Sequence, residues 1–194
     1  MSHALKPPDV MTVDEFLVWD SPGPFLWQLV DGVPAAMAPA SPEHGQIQGE
    51  LGRLIGNHLL ASGRPCHVVI EPGIIPRSQA RHNVRIPDIG VTCSRTRRGD
   101  RTLRDPVLLI EILSPSNHAE TWSNIWTYQT IPSVREILVV HSERVRAEML
   151  RRAPDGAWPA NPVEIDGGAF TLDSIGLTLL LAELYRGTWL ADAT

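Results

Sequence analysis

Two acidic side chains lie in runs where burial makes a charge expensive. Asp88 follows Pro87 inside the strand-like stretch Arg85–Cys93, and Glu111 sits within the nearly unbroken apolar run Val107–Leu113. A proline donates no ladder hydrogen bond and belongs at a strand start or edge. Strand alternation then turns Asp88 to the face opposite Ile89. A carboxylate inside a central strand is costly unless it is paired or metal-bound. Taken singly, each residue has a plain explanation: Asp88 as a strand-edge turn residue, Glu111 as the partner of an arginine. As a pair on neighbouring strands they have the oxygen chemistry to hold Mg²⁺ or Mn²⁺, which needs only one or two protein carboxylates. Such an ion activates water and stabilises charge on a phosphate, and for the pair this is the preferred reading.

The elements that would position them read as follows. Residues 1–11 form an arm, and residues 12–190 a single domain. Thr12 and Glu15 make a capping box that opens a short helix to Trp19. Phe25–Val30 and Val33–Met37 flank Asp31-Gly32 as a hairpin. Ser41 to His44 start a long helix whose apolar stripe is Ile47, Leu51, Leu54, Ile55 and Leu59, closed by Gly63. Strands are expected at His67–Glu71, Ile74–Arg77, Arg85–Cys93 and Val107–Leu113. A second helix from Ser116 or Asn117 to Gln129 follows, then a buried strand at Glu136–Val140. Short strands to about Leu181 and a short helix at Leu181–Tyr185 end the chain. The order predicts an α/β fold with a mixed central sheet flanked by helices, extended by an N-terminal hairpin and C-terminal strands.

Composition narrows the function classes. The 194 residues are 43% hydrophobic and 20% charged with a net charge of −5, which disfavours binding nucleic acid through a generally basic surface. Of the 17 basic residues, Lys6 is the only lysine. No apolar run is long enough to span a membrane, and the N-terminus lacks a secretory pattern. Cys66 and Cys93 are expected to be reduced, packed thiols of a cytoplasmic protein, with no structural zinc. The six tryptophans are expected to be core residues.

Pro87-Asp88, followed by Glu111-Ile-Leu-Ser-Pro-Ser116, resembles the Uma-type restriction endonucleases of the PD-(D/E)XK nuclease superfamily. Leu29-Val-Asp-Gly32, Met37-Ala-Pro-Ala-Ser41, His44, Tyr128 and Ile131-Pro132 with Glu136 extend the likeness from about Met11 to Tyr185. The resemblance implies a restriction-endonuclease-like αβββαβ core and Mg²⁺- or Mn²⁺-dependent hydrolysis of DNA phosphodiesters. It implies a metal held by Asp88 and Glu111, with the Ile112 carbonyl as a third ligand, and a role for His44 in the site. The superfamily pattern ends in a lysine two residues after the second carboxylate, where this chain has Leu113. In the family a helix lysine four residues before the tyrosine takes that role, and counting back from Tyr128 gives Asn124. An amide donates hydrogen bonds but carries no charge, so the expected cleavage is weak.

Other polar residues have two readings each. His44 is on the buried stripe of its helix, as a capping or core histidine or as a site residue. Glu50 is a solvated helix residue or a first-helix acid. Glu71, before Pro72-Gly73, is a turn residue or a further metal neighbour. Arg95, Arg97, Arg98, Arg101 and Arg104 form an exposed loop, mobile or touching phosphates. The expected partner is nucleic acid, DNA first, with a homodimer as an option and no membrane. The alternative function is a catalytically inactive nucleic-acid-binding or protein-interaction module on the same fold.

Overall fold

Capping chemistry places the first elements. In the computed structural model, which describes residues 10–193, the Thr12 side chain accepts from the Glu15 amide and the Glu15 carboxylate accepts from the Thr12 amide, opening helix α1 (Val13–Leu17). The arm of residues 1–11 falls, up to residue 9 and so including Lys6, outside the described residues. The hairpin forms as expected, with β1 (Trp27–Val30) antiparallel to β2 (Val33–Ala36). Ser41 caps helix α2 (Pro42–Ala61), whose buried stripe is His44, Ile47, Leu51, Ile55 and Leu59. Each fully buried aliphatic side chain on that stripe stabilises the packing by roughly 1.5–3 kcal/mol.

The main sheet has six strands in the order β3-β4-β5-β6-β7-β8. They are β3 (His67–Ile70), β4 (Ile89–Thr92), β5 (Pro106–Leu113), β6 (Glu136–His141), β7 (Ala147–Arg151) and β8 (Val163–Ile165). Only β5 and β6 are parallel. The crossover between them carries helix α3 (His118–Tyr128), entered through a single 3₁₀ turn at Pro115–Asn117. A separate hairpin, β9 (Ala169–Leu172) with β10 (Leu177–Leu180), packs on the α2 side. Short 3₁₀ segments, Leu181–Tyr185 and Trp189–Ala193, end the chain. The order α2-β3-β4-β5-α3-β6 is the expected αβββαβ core.

Alternation along β5 sorts the two faces. Leu108, Ile110 and Ile112 join the α2-side core, whereas Leu109 and Leu113 join the core under α3 with Ile125 and Tyr128. Glu111 shares the parity of the second set, so it points toward α3.

Several expectations need correction. Ile74–Arg77 is not a strand; Ile74 makes one isolated bridge to Arg85, and Val84 one to Leu29. Arg85–Cys93 shortens to Ile89–Thr92, because Pro87 has no amide to pair and the segment before it turns to the hairpin instead. Cys66 and Cys93 are joined in a disulfide. The β3–β4 register pairs His67 with Thr92, which sets these cysteines opposite one another, and Cys93 is exposed rather than packed. The tryptophans are core residues only in part: Trp122 and Trp158 pack half-buried against the core under α3, Trp19 and Trp27 are half-buried, and Trp126 and Trp189 are 56% and 57% exposed.

Candidate functional site

Asp88 lies just ahead of β4, at the point where pairing with β5 ends. The ladder runs Ile89 to Ile110 and stops, leaving the Ile112 amide without a strand partner on that side. The Asp88 side chain fills the gap, its Oδ2 accepting from Ile112 N at 2.6 Å. Its Oδ1 lies 2.8 Å from His44 Nε2 on the first turn of α2. With Asp88 ionised, the imidazole is the donor, since a carboxylate only accepts. Gln48, one turn after His44, donates to the Asp88 carbonyl at 3.0 Å, and the Glu71 amide donates to the same oxygen at 2.9 Å. Glu71 adopts φ +50° to do so, a left-handed conformation uncommon outside glycine. The Pro72 turn that follows packs directly over Gly90. A Cβ there would come within 2.9 Å of Pro72 and 2.7 Å of Leu103, so only glycine lets the turn lie this close.

Glu111 is held by α3. The Tyr128 hydroxyl donates to its Oε1 at 2.5 Å. Burial, then the Asp88 charge beside it, push the Glu111 carboxyl well above the ordinary glutamate range. Burial, then the Glu111 charge, push the Tyr128 phenol well above its ordinary value. Asn124, one turn before Tyr128, is 6% exposed, and its Oδ1 has no hydrogen-bond partner. A buried orphan acceptor costs roughly 1–3 kcal/mol. Glu120, one turn earlier still, accepts a hydrogen bond from Gln28 Nε2 of β1. The Oε1 of Gln28, a residue 1% exposed, is again unpartnered.

Gln28, His44, Glu71, Asp88, Glu111, Glu120 and Asn124 line one cleft of about 900 Å³. Among the described residues its walls carry six carboxyl groups (Glu43, Glu71, Asp88, Glu111, Glu120 and Glu143) and no lysine or arginine, with His44 the single basic side chain. Among the described residues no three His, Cys, Asp or Glu side chains form a ready-made metal cluster. A Mg²⁺-type ion nonetheless fits the donor set. Two carboxylates with room for water are hard-oxygen chemistry, and each Asp88 oxygen keeps a lone pair after the hydrogen bond it accepts.

The structure thus gathers His44, Asp88, Glu111, Asn124 and Glu71 around one cleft. It excludes Glu50, which pairs with Arg53 and faces Arg186, and all five loop arginines. The β4–β5 hairpin carries that loop at its Thr92–Pro106 end, the end opposite Asp88. Arg101 is engaged by the Leu17 carbonyl and Arg104 by Asp100 and the Arg95 carbonyl.

Gln48, Gln28, Glu120 and Arg85 were not singled out by sequence reasoning. Only Gln48 left a usable signal, sitting four residues after His44 on the same helical face. Arg85 is 3% exposed with an unpartnered Nε. Burial pulls its guanidinium below the ordinary range, while Tyr128, Asp31 and Glu120 oppose this electrostatically.

The tyrosines give a direct check on this burial. The chain has two, and burial pushes Tyr185 up to about 12, as it raises Tyr128. A raised folded-state pKa means stability is complete below the unfolded value of about 10 and is lost as pH climbs beyond it. Alkaline titration should therefore show no phenolate absorbance near pH ~10 until the chain unfolds, and then both tyrosines together. A smooth phenolate titration at that pH with intact circular dichroism would contradict the packing described.

Comparison with known proteins adds three findings. A family model described as "Putative restriction endonuclease" (Uma2) matches residues 13–182. The "Uncharacterized protein slr1290" of Synechocystis sp. is 28% identical over 179 residues, covering 91% of this chain and 92% of that protein. The crystal structure of "a putative nuclease belonging to DUF820" from Anabaena variabilis superposes with a TM-score of 0.73 at 19% identity, over 90% of this chain and 97% of that one. At that identity the likeness establishes the shared fold.

Proposed function

The chain belongs to the Uma2 "Putative restriction endonuclease" family, and from that membership and the cleft we propose that it hydrolyses DNA phosphodiesters with a divalent metal held by Asp88, Glu111 and the Ile112 carbonyl. The observation that carries the reading is the Asp88–Glu111 pair at the point where β4 stops pairing with β5. The Ile112 amide points to that open edge, and the carbonyl of a strand residue leaves on the same side as its amide. Mg²⁺ or Mn²⁺ bound there supplies positive charge for the scissile phosphate and lowers the pKa of a bound water.

The protein's own groups do the rest. His44 and the Ile112 amide fix the Asp88 carboxylate in one orientation. Tyr128 fixes Glu111 while leaving a lone pair on Oε1. Asn124, with two amide hydrogens, orients a phosphate oxygen or water without charge. His44 holds a proton at Nε2 on the cleft wall.

The test pairs titration calorimetry with a plasmid-nicking assay. Asp88→Ala should abolish binding at this metal site and reduce nicking to background, with Glu111→Ala behaving likewise. Unchanged metal affinity in folded Asp88→Ala refutes the site. A second reading, a binding module without catalysis, draws on the absence of any lysine or arginine among the described residues of the cleft wall. It predicts DNA retention with no nicking at any metal concentration.

A further inference from the structure

We infer that the cleft contains a second divalent-cation subsite, built by Glu120 and Asn124 of α3 with Gln28 of β1, and that a cation there stands in for the ammonium missing from position 124. The inference rests on the metal-dependent reading above and extends it to Glu120 and Gln28, which have no place in the Asp88–Glu111 site, and to the unpartnered oxygen of Asn124.

Three observations converge. Glu120 and Asn124 are four residues apart on α3, so they share a helical face, and both line the cleft. Tyr128, a further turn along, binds Glu111, so this face runs directly into the first site. Second, two buried amide oxygens on that wall, Asn124 Oδ1 and Gln28 Oε1, lack any hydrogen-bond partner. Turning the Gln28 amide over does not help, because its oxygen would then meet the Glu120 carboxylate that its Nε2 now serves. An acceptor that cannot be satisfied within the protein calls for a donor or a cation from outside.

Third, the surrounding charge favours a cation. Among the described residues the lining carries six carboxyl groups against one histidine. Arg85 acts electrostatically on Glu120 and Tyr128, but it is not part of the cleft wall. One carboxylate with two amide oxygens is a hard-oxygen set, suited to Mg²⁺, Mn²⁺ or Ca²⁺ rather than to a soft metal. In a lysine-bearing site the ammonium would occupy this wall and exclude the ion by like charge. Asn124 removes that charge and offers an oxygen in its place.

The experiment counts Mn²⁺ on the full chain by calorimetry and by the electron paramagnetic resonance of free Mn²⁺. The parent should bind two ions. Asp88→Ala should keep one, and Asn124→Lys and Glu120→Gln should each keep the other. Asn124→Asp adds ligand charge and should tighten the second ion by about tenfold; a gain of this kind cannot arise from misfolding. A parent that binds one ion, lost in Asp88→Ala and untouched by the changes at 120 and 124, overturns the subsite and leaves the proposed function standing. In that case water alone satisfies the amide oxygens. Two ions in the parent with no response at 120 or 124 also overturn it, and a parent that binds no Mn²⁺ removes both readings.

Discussion

Asn124→Lys should raise DNA cleavage by about 10²–10³ at metal concentrations that fill only the Asp88–Glu111 site, the range that one charge-stabilising donor is worth in a comparable role. The parent meets the charge developing on phosphate with an amide, and an amide supplies dipoles but no charge. Asn124 lies one turn from Tyr128, whose hydroxyl holds Glu111, so a lysine there starts from the correct helical face. The gain should not survive at high metal. Once the second subsite fills, the parent acquires its own positive charge on that wall and the two rate curves converge. Initial rates of plasmid nicking across a Mg²⁺ titration measure this, with Glu111→Ala added to the lysine variant as the control that should remove the gain. A constant ratio between the curves at every concentration would separate the lysine effect from the second subsite. No gain at all in a folded, metal-binding variant would end the idea that position 124 holds the charge-bearing role.

What could be read from the sequence was local, and what could not was set by register and distant contacts. Thr12 with Glu15, Asp31-Gly32 and the Ile47–Leu59 stripe declare their structures within a few residues, and each formed where expected. Asp88 and Glu111 drew attention because a carboxylate in an apolar strand is physically expensive wherever the strand ends up. Their neighbours carried no such mark. His44 reaches Asp88 across 44 positions and Gln28 reaches Glu120 across 92. Neither span has a periodicity that would reveal it. The disulfide misreading has the same origin. Cys66 and Cys93 are 27 residues apart and meet only because β3 and β4 pair in one register rather than another. The arginine loop is exposed as expected, but it lies away from the cleft for a directional reason: connecting the two carboxylate-bearing segments does not place it near the carboxylates, because a hairpin's turn and its open end lie at opposite ends.

Metal-free protein should lose stability as pH rises, and Glu111→Gln should remove most of that loss. Glu111 is buried beside Asp88, and both burial and that charge disfavour its ionisation. Its folded-state pKa is raised, so between the ordinary glutamate range and the raised value the folded chain holds a proton that the unfolded chain has released. Stability from this group is therefore complete below the ordinary range and falls as pH climbs toward the raised value, at up to about 1.4 kcal/mol per pH unit for one proton. A glutamine at 111 keeps the shape and can still accept from the Tyr128 hydroxyl, but it never ionises. In chelator, urea midpoints for the parent should decline as pH climbs above the ordinary glutamate range, whereas the variant's profile should stay flatter and lie above it at the alkaline end. Adding Mn²⁺ should reverse the ranking. The parent gains about 2.7 kcal/mol when the free ion is at a hundred times its dissociation constant, while the variant has lost one of the two carboxylates that hold the first ion. Parallel profiles for the two proteins in chelator would show that Glu111 is already ionised in the apo fold, and the electrostatic description of the cleft would then be wrong at its centre.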